Sequence, residues 1–287
     1  MCDEMMDKAC LLCGGWKAEI LPSFGMNAVC LSVDGREILR KPASFETLKN
    51  NPYTYGIPLL FPANRVKGGV FSYLGKNYAL PLNEPARNNH IHGLMYNAPF
   101  TVVSKDGKSI CAAFENKGDR YPFPFRMTIT DTLSEAGYQR TLEIENTGEG
   151  AFPYTLAFHT AFLEPQILKA PVTERFLCDQ NYIPLRKRIS LSDKEKKYKD
   201  GISLKDLALS GFYASGGVKA YLDDICFSVS DNFDEWILFN AGGGQGFVCV
   251  EPQAGEVNGL NTEDGCIILQ KGETHVFSLS ITREEKI

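Results

Sequence analysis

The sequence predicts an all-β protein, a sandwich or a barrel, with few short helices. Short apolar or alternating segments recur along the chain, and turn residues separate them at short, regular intervals, as in sandwiches and barrels. Helical periodicity is confined to two short stretches, residues 45–49 and 204–209. Strands do not alternate with long helices, which argues against a parallel sheet built from βαβ units.

The first predicted strands pair into hairpins. Asp34-Gly35, Gly75-Lys76 and Asp106-Gly107 each stand between two short apolar segments, and such dipeptides favour tight turns. A fourth hairpin surrounds residues 134–137. In chain order the predicted strands are 17–21, 26–33, 37–39, 70–74, 78–80, 100–104, 109–114, 126–133, 140–146, 152–162, 236–240, 246–251, 266–269 and 276–282. We expect all of them to belong to one domain that covers residues 1–287.

Composition limits the classes of partner. The 287 residues have a formal net charge of −5 and a pI near 5.5, which argues against binding to nucleic acid or to an anionic membrane. No apolar run approaches the ~20 residues of a membrane-spanning helix, and the acidic N-terminal residues are unlike a secretory leader. Nine Cys, an odd and scattered set, fit a reducing compartment better than a disulfide framework. We therefore expect a soluble cytoplasmic protein, monomeric or homodimeric.

Two titratable residues lie inside apolar, strand-like segments. Glu251 follows Phe247-Val-Cys-Val, and His159 lies between Phe158 and Phe162. Burial of such groups without a partner costs several kcal/mol or shifts their pKa values. A Glu with a raised pKa and a His near neutrality would form a base and an acid at physiological pH. Since the chain has only four His, we predict that Glu251 and His159 are catalytic.

Arg65 and a pair of His are candidate ligand-binding residues. Arg65 precedes a Gly pair and offers a fixed fork of donors for sugar hydroxyls or a carboxylate, although by itself it fits a surface ion pair better. His90 and His92 would point to one side of an extended segment, a spacing that can chelate a metal. No Asp, Glu or Cys accompanies them within several residues. Hydrogen bonding to a polar ligand or to neighbouring loops is therefore favoured, and no metal site is predicted.

Three further features allow two interpretations each. Cys10 and Cys13 have CxxC spacing without a second Cys/His pair, so two semi-buried thiols are expected rather than a zinc or redox site. Asp223 and Asp224 indicate either a turn with one solvated acid or an acceptor for ligand hydroxyls. Residues 186–199 are strongly charged, which indicates a solvated loop or short exposed helix; a basic lip over a phosphorylated ligand is the alternative.

In this order, the motifs resemble the aldose 1-epimerase (galactose mutarotase) family, from about residue 15 to 282. The segment from Phe158 to Phe162 is similar to the strand that holds the family's catalytic His. Val250-Glu251-Pro252, followed by Asn258 and Asn261, is similar to the strand end with the catalytic Glu. The remaining matches are Asn64-Arg65-Val66 with Gly69 and Phe71 to the NRI…G.F segment, His92-Gly93 to the LHG segment, and Asp224 with Phe227 to the D-x-x-F acid.

The resemblance implies a large, mostly antiparallel β-sandwich, the galactose mutarotase-like supersandwich, with a sugar in a groove on one sheet. It implies that Glu251 takes the proton of the C1 hydroxyl while protonated His159 gives a proton to the ring oxygen, so that the ring opens and closes again on the other face. The hydroxyls would be bound by Arg65, His92, Asp224 and Asn64. The implied partner is an aldohexose, and no metal or cofactor is required.

Two departures from the family concern the identity of the sugar. Gly93 is followed by Leu94 rather than by a second Gly, and the segment before His159 is closer to uncharacterised aldose epimerases and hexose-6-phosphate epimerases. Three functions stay open: a mutarotase of an unphosphorylated hexose, which we favour; a hexose-6-phosphate 1-epimerase that grips phosphate with residues 186–199; and a non-catalytic carbohydrate-binding or sensing protein. A binding protein needs no acid and base, so the Glu251/His159 pair disfavours the third.

Overall fold

The computed structural model describes residues 7–284. The acidic stretch behind the secretory-leader argument lies largely in residues 1–6, outside the described residues, as do residues 285–287. Among the described residues, no helix is both long enough and apolar enough to cross a membrane. The one α-helix, α1, spans Phe45–Asn50, and the Ser44 hydroxyl caps it by accepting a hydrogen bond from the Thr47 N–H, as Ser favours at this position. This confirms the first of the two predicted helices.

The strands in chain order are β1 (Ala9–Cys13), β2 (Trp16–Leu21), β3 (Asn27–Val33), β4 (Arg36–Glu37), β5 (Leu59–Leu60), β6 (Arg65–Lys67), β7 (Val70–Tyr73), β8 (Lys76–Ala79), β9 (Asn89–Ile91), β10 (Thr101–Lys105), β11 (Ser109–Asn116), β12 (Phe125–Ser134), β13 (Gly137–Asn146) and β14 (Phe152–Tyr154). They continue with β15 (Leu156–Phe158), β16 (Thr160–Leu163), β17 (Ile167–Lys169), β18 (Val172–Cys178), β19 (Pro184–Ser190), β20 (Ile202–Ser203), β21 (Ser210–Ser215), β22 (Lys219–Leu222), β23 (Ile225–Val229), β24 (Glu235–Phe239), β25 (Phe247–Ala254), β26 (Ile267–Leu269) and β27 (Thr274–Arg283). Short 3₁₀ helices span Pro85–Arg87, Glu195–Tyr198 and Gly259–Asn261.

Two large sheets form the sandwich. The nine-stranded sheet has the order β10-β11-β12-β13-β27-β23-β22-β17-β20, and the eight-stranded sheet has the order β19-β18-β21-β24-β25-β15-β5, with β16 also paired to β25. Every strand pair within these two sheets is antiparallel. A four-stranded sheet, β1 to β4, and the pairs β6-β9, β7-β8 and β14-β26 complete the fold. The predicted fold class is confirmed.

The inner faces of the two large sheets share one apolar core. The ring centroid of Phe227 on β23 lies 5.2 Å from that of Phe162 on β16 and 5.9 Å from that of Trp236 on β24. Because side chains alternate along a strand, Ile237 and the residue opposite it on β25, Glu251, project from the other face of the eight-stranded sheet. We call this the outer face of the sheet.

Most predicted hairpins are present, with small shifts. Asp34-Gly35 connects β3 to β4 with φ angles of 50° and 78°, the left-handed geometry that such two-residue turns require. The next turn is Leu74-Gly75 rather than Gly75-Lys76, because Lys76 already pairs with Tyr73. The long strand predicted over residues 152–162 is divided into β14, β15 and β16.

Two predictions between β19 and β21 are corrected. Residues 204–209 form no helix; Leu204, Leu207 and Leu209 are buried in the main core, so their spacing reflects packing of an irregular segment. Residues 186–199 are more ordered than the predicted solvated loop, since they include most of the edge strand β19 and the 3₁₀ helix Glu195–Tyr198. Glu195 and Tyr198 are buried while the Lys side chains beside them are exposed.

Candidate active site

The eight-stranded sheet holds Glu251 near its centre. β25 pairs with β24 on one side and with β15 and β16 on the other, and all eight of its residues are buried. Glu251 stands opposite Ile237 on the outer face. A strand with hydrogen-bonded neighbours on both sides has a fixed backbone, so it positions a side chain more accurately than a loop does.

His159 is the single residue between β15 and β16. Its backbone N–H donates to the Pro58 carbonyl at 3.0 Å, while Thr160, the next residue, pairs with Val250 of β25. This break in the strand places the imidazole beside Glu251. The His159 Nε2 and Glu251 Oε1 atoms are 3.2 Å apart, and both side chains are buried. The structure therefore brings the two predicted catalytic residues into contact.

Burial determines the electrostatics of this pair. It raises the pKa of the Glu251 carboxyl well above its ordinary value, and the positive charge of Arg65 opposes that shift only partly. Burial also lowers the pKa of His159 to about 4. Each group by itself thus favours its neutral form. Because the two groups are in contact, a proton on one of them lies within reach of the other.

A cavity of about 380 Å³ adjoins the pair. Five of the predicted site residues line it: Glu251, His159, Arg65, His92 and Asn64. The other lining residues are Asn51, Tyr53, Thr54, Arg87, Ile91, Tyr182, Ser210, Gly211, Phe212, Ile237, Leu238 and Phe239. The cavity is thus a groove on the outer face of the sheet, with loops as its remaining walls. Its size and its mixture of polar and aromatic walls suit a small polar ligand.

Aromatic rings pack around the two cavity His residues. The ring centroid of Tyr53 is 4.6 Å from that of His92 and 6.3 Å from that of His159, and the two His rings meet edge to face at 5.1 Å. Burial, followed by the charge of His159, holds the pKa of His92 well below its ordinary value. The Nδ1 atoms of both His residues are buried and have no hydrogen-bond partner within the described residues, which indicates room for a polar ligand or ordered water.

Arg65 is held by an acid at the wall of the cavity. Its Nε and Nη2 atoms donate to the two carboxylate oxygens of Glu84, each at 2.9 Å, and its guanidinium lies 4.9 Å from the ring centroid of Tyr182. Arg65 Nη1 donates to the Asn64 side-chain oxygen at 3.3 Å. Arg87 also pairs with Glu84, at 3.2 Å. Arg65 therefore forms an ion pair, as one interpretation of the sequence expected, and it also lines the cavity.

His90 and His92 have separate environments. His90 Nδ1 donates to the Pro81 carbonyl at 2.7 Å, so one nitrogen of this ring is bonded to a neighbouring loop. β9 ends at Ile91, and His92 has a φ of 66°, which turns its side chain out of the alternating pattern. His92 lines the cavity and His90 does not.

The structure corrects the prediction that Asp224 binds a sugar at this site. Asp224 lies in the turn between β22 and β23 of the nine-stranded sheet. Arg36 Nη2 donates to its Oδ2 atom at 2.9 Å, and Arg36 Nη1 lies 2.7 Å from its Oδ1 atom. Asp223 accepts hydrogen bonds from the backbone N–H groups of Gln166 and Ile167 at 3.0 and 2.9 Å. Both acids thus bind groups of neighbouring segments, and neither lines the cavity.

The remaining sequence features also lie away from the cavity. Cys10 and Cys13 are separate thiols on β1, and residues three apart on a strand project to opposite faces. None of residues 186–199 is among those that line the cavity. Arg188 Nη2 lies 3.7 Å from Glu256 and Lys196 pairs with Asp193 at 2.8 Å.

Sequence reasoning missed several cavity residues, among them Tyr53, Arg87, Tyr182 and Ser210. They come from three separate loops and from the start of β21, and no local motif distinguishes them. It also missed Cys249. Within residues 7–284, one group of three or more side chains has potential metal-ligating atoms all within 4.8 Å of one another, and it consists of His159, Cys249 and Glu251.

Comparison with known families gives one match over most of the chain. The family model described as aldose 1-epimerase matches residues 22–282. Among curated proteins, the uncharacterized protein YihR of Escherichia coli strain K12 is 21% identical over 248 residues, which cover 78% of this chain and 77% of that protein.

Solved structures show the same architecture. A galactose mutarotase-like protein from Clostridium acetobutylicum superposes with a TM-score of 0.90 at 23% identity, covering 96% of this chain and 95% of that one. A putative aldose 1-epimerase from Escherichia coli K12 gives 0.82 at 19% identity, covering 97% and 99%. A galactose 1-epimerase from Lactobacillus acidophilus NCFM gives 0.79 at 16% identity, covering 96% and 92%. These structures establish the mutarotase-like sandwich as the fold.

Proposed function

Because this chain belongs to the aldose 1-epimerase family, we propose that it is a mutarotase that interconverts the α and β anomers of an unphosphorylated aldohexose. The observation that supports this most directly is the contact of 3.2 Å between Glu251 Oε1 and His159 Nε2 at the edge of a sugar-sized cavity. Ring opening removes a proton from one oxygen of the hemiacetal and adds a proton to the other. Both oxygens are bonded to C1, so the base and the acid must lie close together.

In the proposed reaction, Glu251 as carboxylate takes the proton of the C1 hydroxyl. The C1–O5 bond breaks, its electron pair goes to O5, and the imidazolium of His159 gives its proton to that oxygen. The resulting aldehyde rotates about the C1–C2 bond, and the same steps in reverse close the ring on its other face. The reactive form of the pair is the Glu251 carboxylate with the His159 imidazolium. It differs from the neutral carboxyl and imidazole only by the transfer of one proton from Glu251 to His159. Only side chains take part.

The sugar is held by the walls of the cavity. Arg65, His92 and Asn64 offer donors and acceptors for the hydroxyls, and Tyr53 and Tyr182 offer flat rings against which a sugar face can pack. Glu84 fixes the Arg65 guanidinium from behind. A guanidinium that is already oriented loses little conformational entropy when the ligand binds.

A phosphorylated hexose is the second candidate, and one observation favours it. Arg87 lines the cavity with a half-exposed guanidinium, and an Arg is well suited to bind a phosphate. This position replaces residues 186–199 as the expected phosphate contact. A non-catalytic carbohydrate-binding protein fits less well, because hydroxyl binding alone gives no reason to bury an acid and a base in contact.

Polarimetry on freshly dissolved α-anomers tests this proposal. The sugars are α-glucose, α-galactose and glucose 6-phosphate, with the spontaneous rate in the same buffer subtracted. We expect the protein to accelerate the change in rotation for at least one free hexose and to act less well on the phosphate ester. A higher kcat/KM for glucose 6-phosphate would select the second candidate. Saturable sugar binding without any acceleration would select the binding protein and overturn the proposal.

A further inference from the structure

The catalytic pair has a third neighbour that the proposed reaction does not use. Cys249 lies two residues before Glu251 on β25, and therefore on the same face of the sheet. It pairs across the sheet with Ala161, two residues after His159. The Cys249 sulfur, a ring nitrogen of His159 and a carboxylate oxygen of Glu251 all lie within 4.8 Å of one another, and all three residues are buried. Two rigid strands thus hold three potential ligand atoms together.

We propose that His159, Cys249 and Glu251 form a three-ligand site for a thiophilic divalent cation of the Zn²⁺ type, with the fourth coordination position facing the cavity. Thiolate, imidazole and carboxylate are the ligands that zinc takes in proteins, and three protein ligands with one open position are a common arrangement. The sulfur selects against Mg²⁺ and Ca²⁺, which prefer oxygen ligands.

The spacing of the donor atoms suits such an ion. Bonds of about 2.0–2.3 Å in a tetrahedral geometry place the ligand atoms about 3.3–3.8 Å apart. The Nε2–Oε1 distance of 3.2 Å already meets this requirement. The other two distances need to shorten by about 1 Å at most, which small rotations of the Cys249 and Glu251 side chains can supply.

Charge balance also favours the ion. A buried site is most stable when its net charge is zero, because an uncompensated charge away from water is costly. A divalent cation with one thiolate, one carboxylate and a neutral imidazole is uncharged in sum. Binding therefore exchanges protons for the metal, releasing one from the thiol and one from any carboxyl that holds it. Affinity should rise with pH.

Direct metal binding tests the site without reference to catalysis. The parent protein for the test has Cys10→Ser and Cys13→Ser, which remove the thiols of β1. Zn²⁺ is titrated by calorimetry in two buffers of different ionisation enthalpy, and Cd²⁺ by the ultraviolet absorption of the Cd–thiolate bond. We expect one ion per chain, release of at least one proton, and a Cd–thiolate band.

Cys249→Ser in this parent should lower the affinity by about 10-fold or more and abolish the band. The matched control is Cys226→Ser, which removes another buried thiol, on β23 of the other sheet beside the Ser228 hydroxyl; its affinity and band should equal those of the parent. Cys249→Ser could lose Zn²⁺ affinity only because the protein is less stable, which a lower melting temperature would reveal. In that case Glu251→Gln is the second test, because it keeps the thiol and should also bind Zn²⁺ more weakly. Equal affinity in the parent and in these two variants, or a parent without the Cd–thiolate band, would overturn the proposal.

One consequence rests on the proposed function: the ion and the acid–base reaction need the same His159 and Glu251 atoms, so Zn²⁺ should inhibit mutarotation and a chelator should restore it. The two proposals can fail separately. Metal binding without mutarotase activity would contradict the proposed function and leave the metal site intact. Mutarotase activity that does not change at saturating Zn²⁺, together with no Zn²⁺ binding by calorimetry, would contradict the metal site and leave the proposed function intact.

Discussion

At the scale of single residues, the proposed chemistry depends on the contact between a buried Glu and a buried His. Glu251 and His159 each favour the neutral form when buried alone, while the proposed reaction starts from the charged form. Their contact at 3.2 Å makes the two forms differ only by the position of one proton. The cost of charging the pair is therefore much smaller than the cost of burying either charge alone.

Glu251→Gln should remove the base and keep the shape of the site. General acid–base groups contribute typically about 10²–10⁴-fold, so we expect kcat to fall by this factor with sugar binding retained, measured by polarimetry and calorimetry. Glu235→Gln is the matched control, because Glu235 is another buried Glu with a raised pKa on the adjacent strand β24, outside the cavity lining. Its kcat should stay near that of the wild type. Near-normal mutarotation in Glu251→Gln would reject Glu251 as the base.

The pH dependence of kcat/KM should show a plateau with two limbs that belong to the pair. As the pH falls, the pair gains a second proton and Glu251 can no longer accept one; burial moves this limb well below 6.5, the ordinary pKa of His. As the pH rises above the raised pKa of Glu251, the pair loses its proton and His159 can no longer donate. Stopped-flow polarimetry over the stable pH range measures both limbs. An acid limb near 6.5 would show that His159 titrates as an exposed His.

At the scale of elements, the two faces of β25 have different roles: one face packs in the core, and the other carries the proposed base. Val248 and Val250 face the shared core, and the residues between and after them, Cys249 and Glu251, face outward. The loops that close the cavity come from distant parts of the chain, and Tyr182 in the β18–β19 connection packs on both Arg65 and Arg87, at 4.9 Å each. In the proposed function, the sheet provides the reacting groups and the loops select the ligand.

The lysines of residues 186–199 should have no effect on either sugar class. Lys194, Lys196 and Lys197 are exposed and lie outside the cavity lining, so their joint replacement by Glu should leave KM unchanged for both hexose and hexose 6-phosphate. Arg87→Gln is the comparison, because Arg87 lines the cavity and should raise KM, most for a phosphate ester. A rise in KM confined to phosphate esters in the Lys variant would restore the basic-lip hypothesis. That rise should weaken with salt, since exposed charges are screened over about 8 Å.

At the scale of the whole molecule, a buried ion pair on the inner side of the nine-stranded sheet holds two connecting segments in the core. Arg140 on β13 donates through Nε to Asp131 on β12 at 2.7 Å, and neither side chain is exposed. The same guanidinium donates to the carbonyls of Ile57 and Met26 and lies 5.9 Å from the ring centroid of Phe158, beside His159. One cation thus satisfies the backbone of two connecting segments in the core.

Asp131→Asn should destabilise the protein strongly, because it leaves the Arg140 charge buried without its partner. Loss of one member of a buried pair costs about 3–5 kcal/mol, and urea unfolding followed by circular dichroism measures the change in the free energy of unfolding. Glu149→Gln breaks the exposed pair with Lys271 and serves as the control, with an unfolding midpoint close to the wild type. If the two variants have equal midpoints, Arg140 finds another partner or is not essential to the core.

The sequence by itself determined the fold class and the approximate positions of most turns, and it singled out Glu251 and His159. Alternation of apolar and polar residues is a local property, and so are the turn preferences of Asp34-Gly35 and Asp106-Gly107. Glu251 and His159 were found because a titratable group inside an apolar segment is conspicuous without any knowledge of its neighbours. The sequence predicts their pairing from their chemistry and from the family resemblance. The distance between them cannot be predicted from the sequence.

Only the tertiary structure decided which other residues reach the site. Asp224 has the spacing to Phe227 that the family motif requires, but it lies in a turn of the nine-stranded sheet, where it pairs with Arg36. Tyr53, Arg87 and Tyr182 belong to no motif, and they line the cavity. Cys249 acquires its significance from the register of β16 against β25. The physical reason is the same in each case: strand order, register and the packing of sheets are fixed by contacts between residues far apart in sequence, which local patterns do not contain.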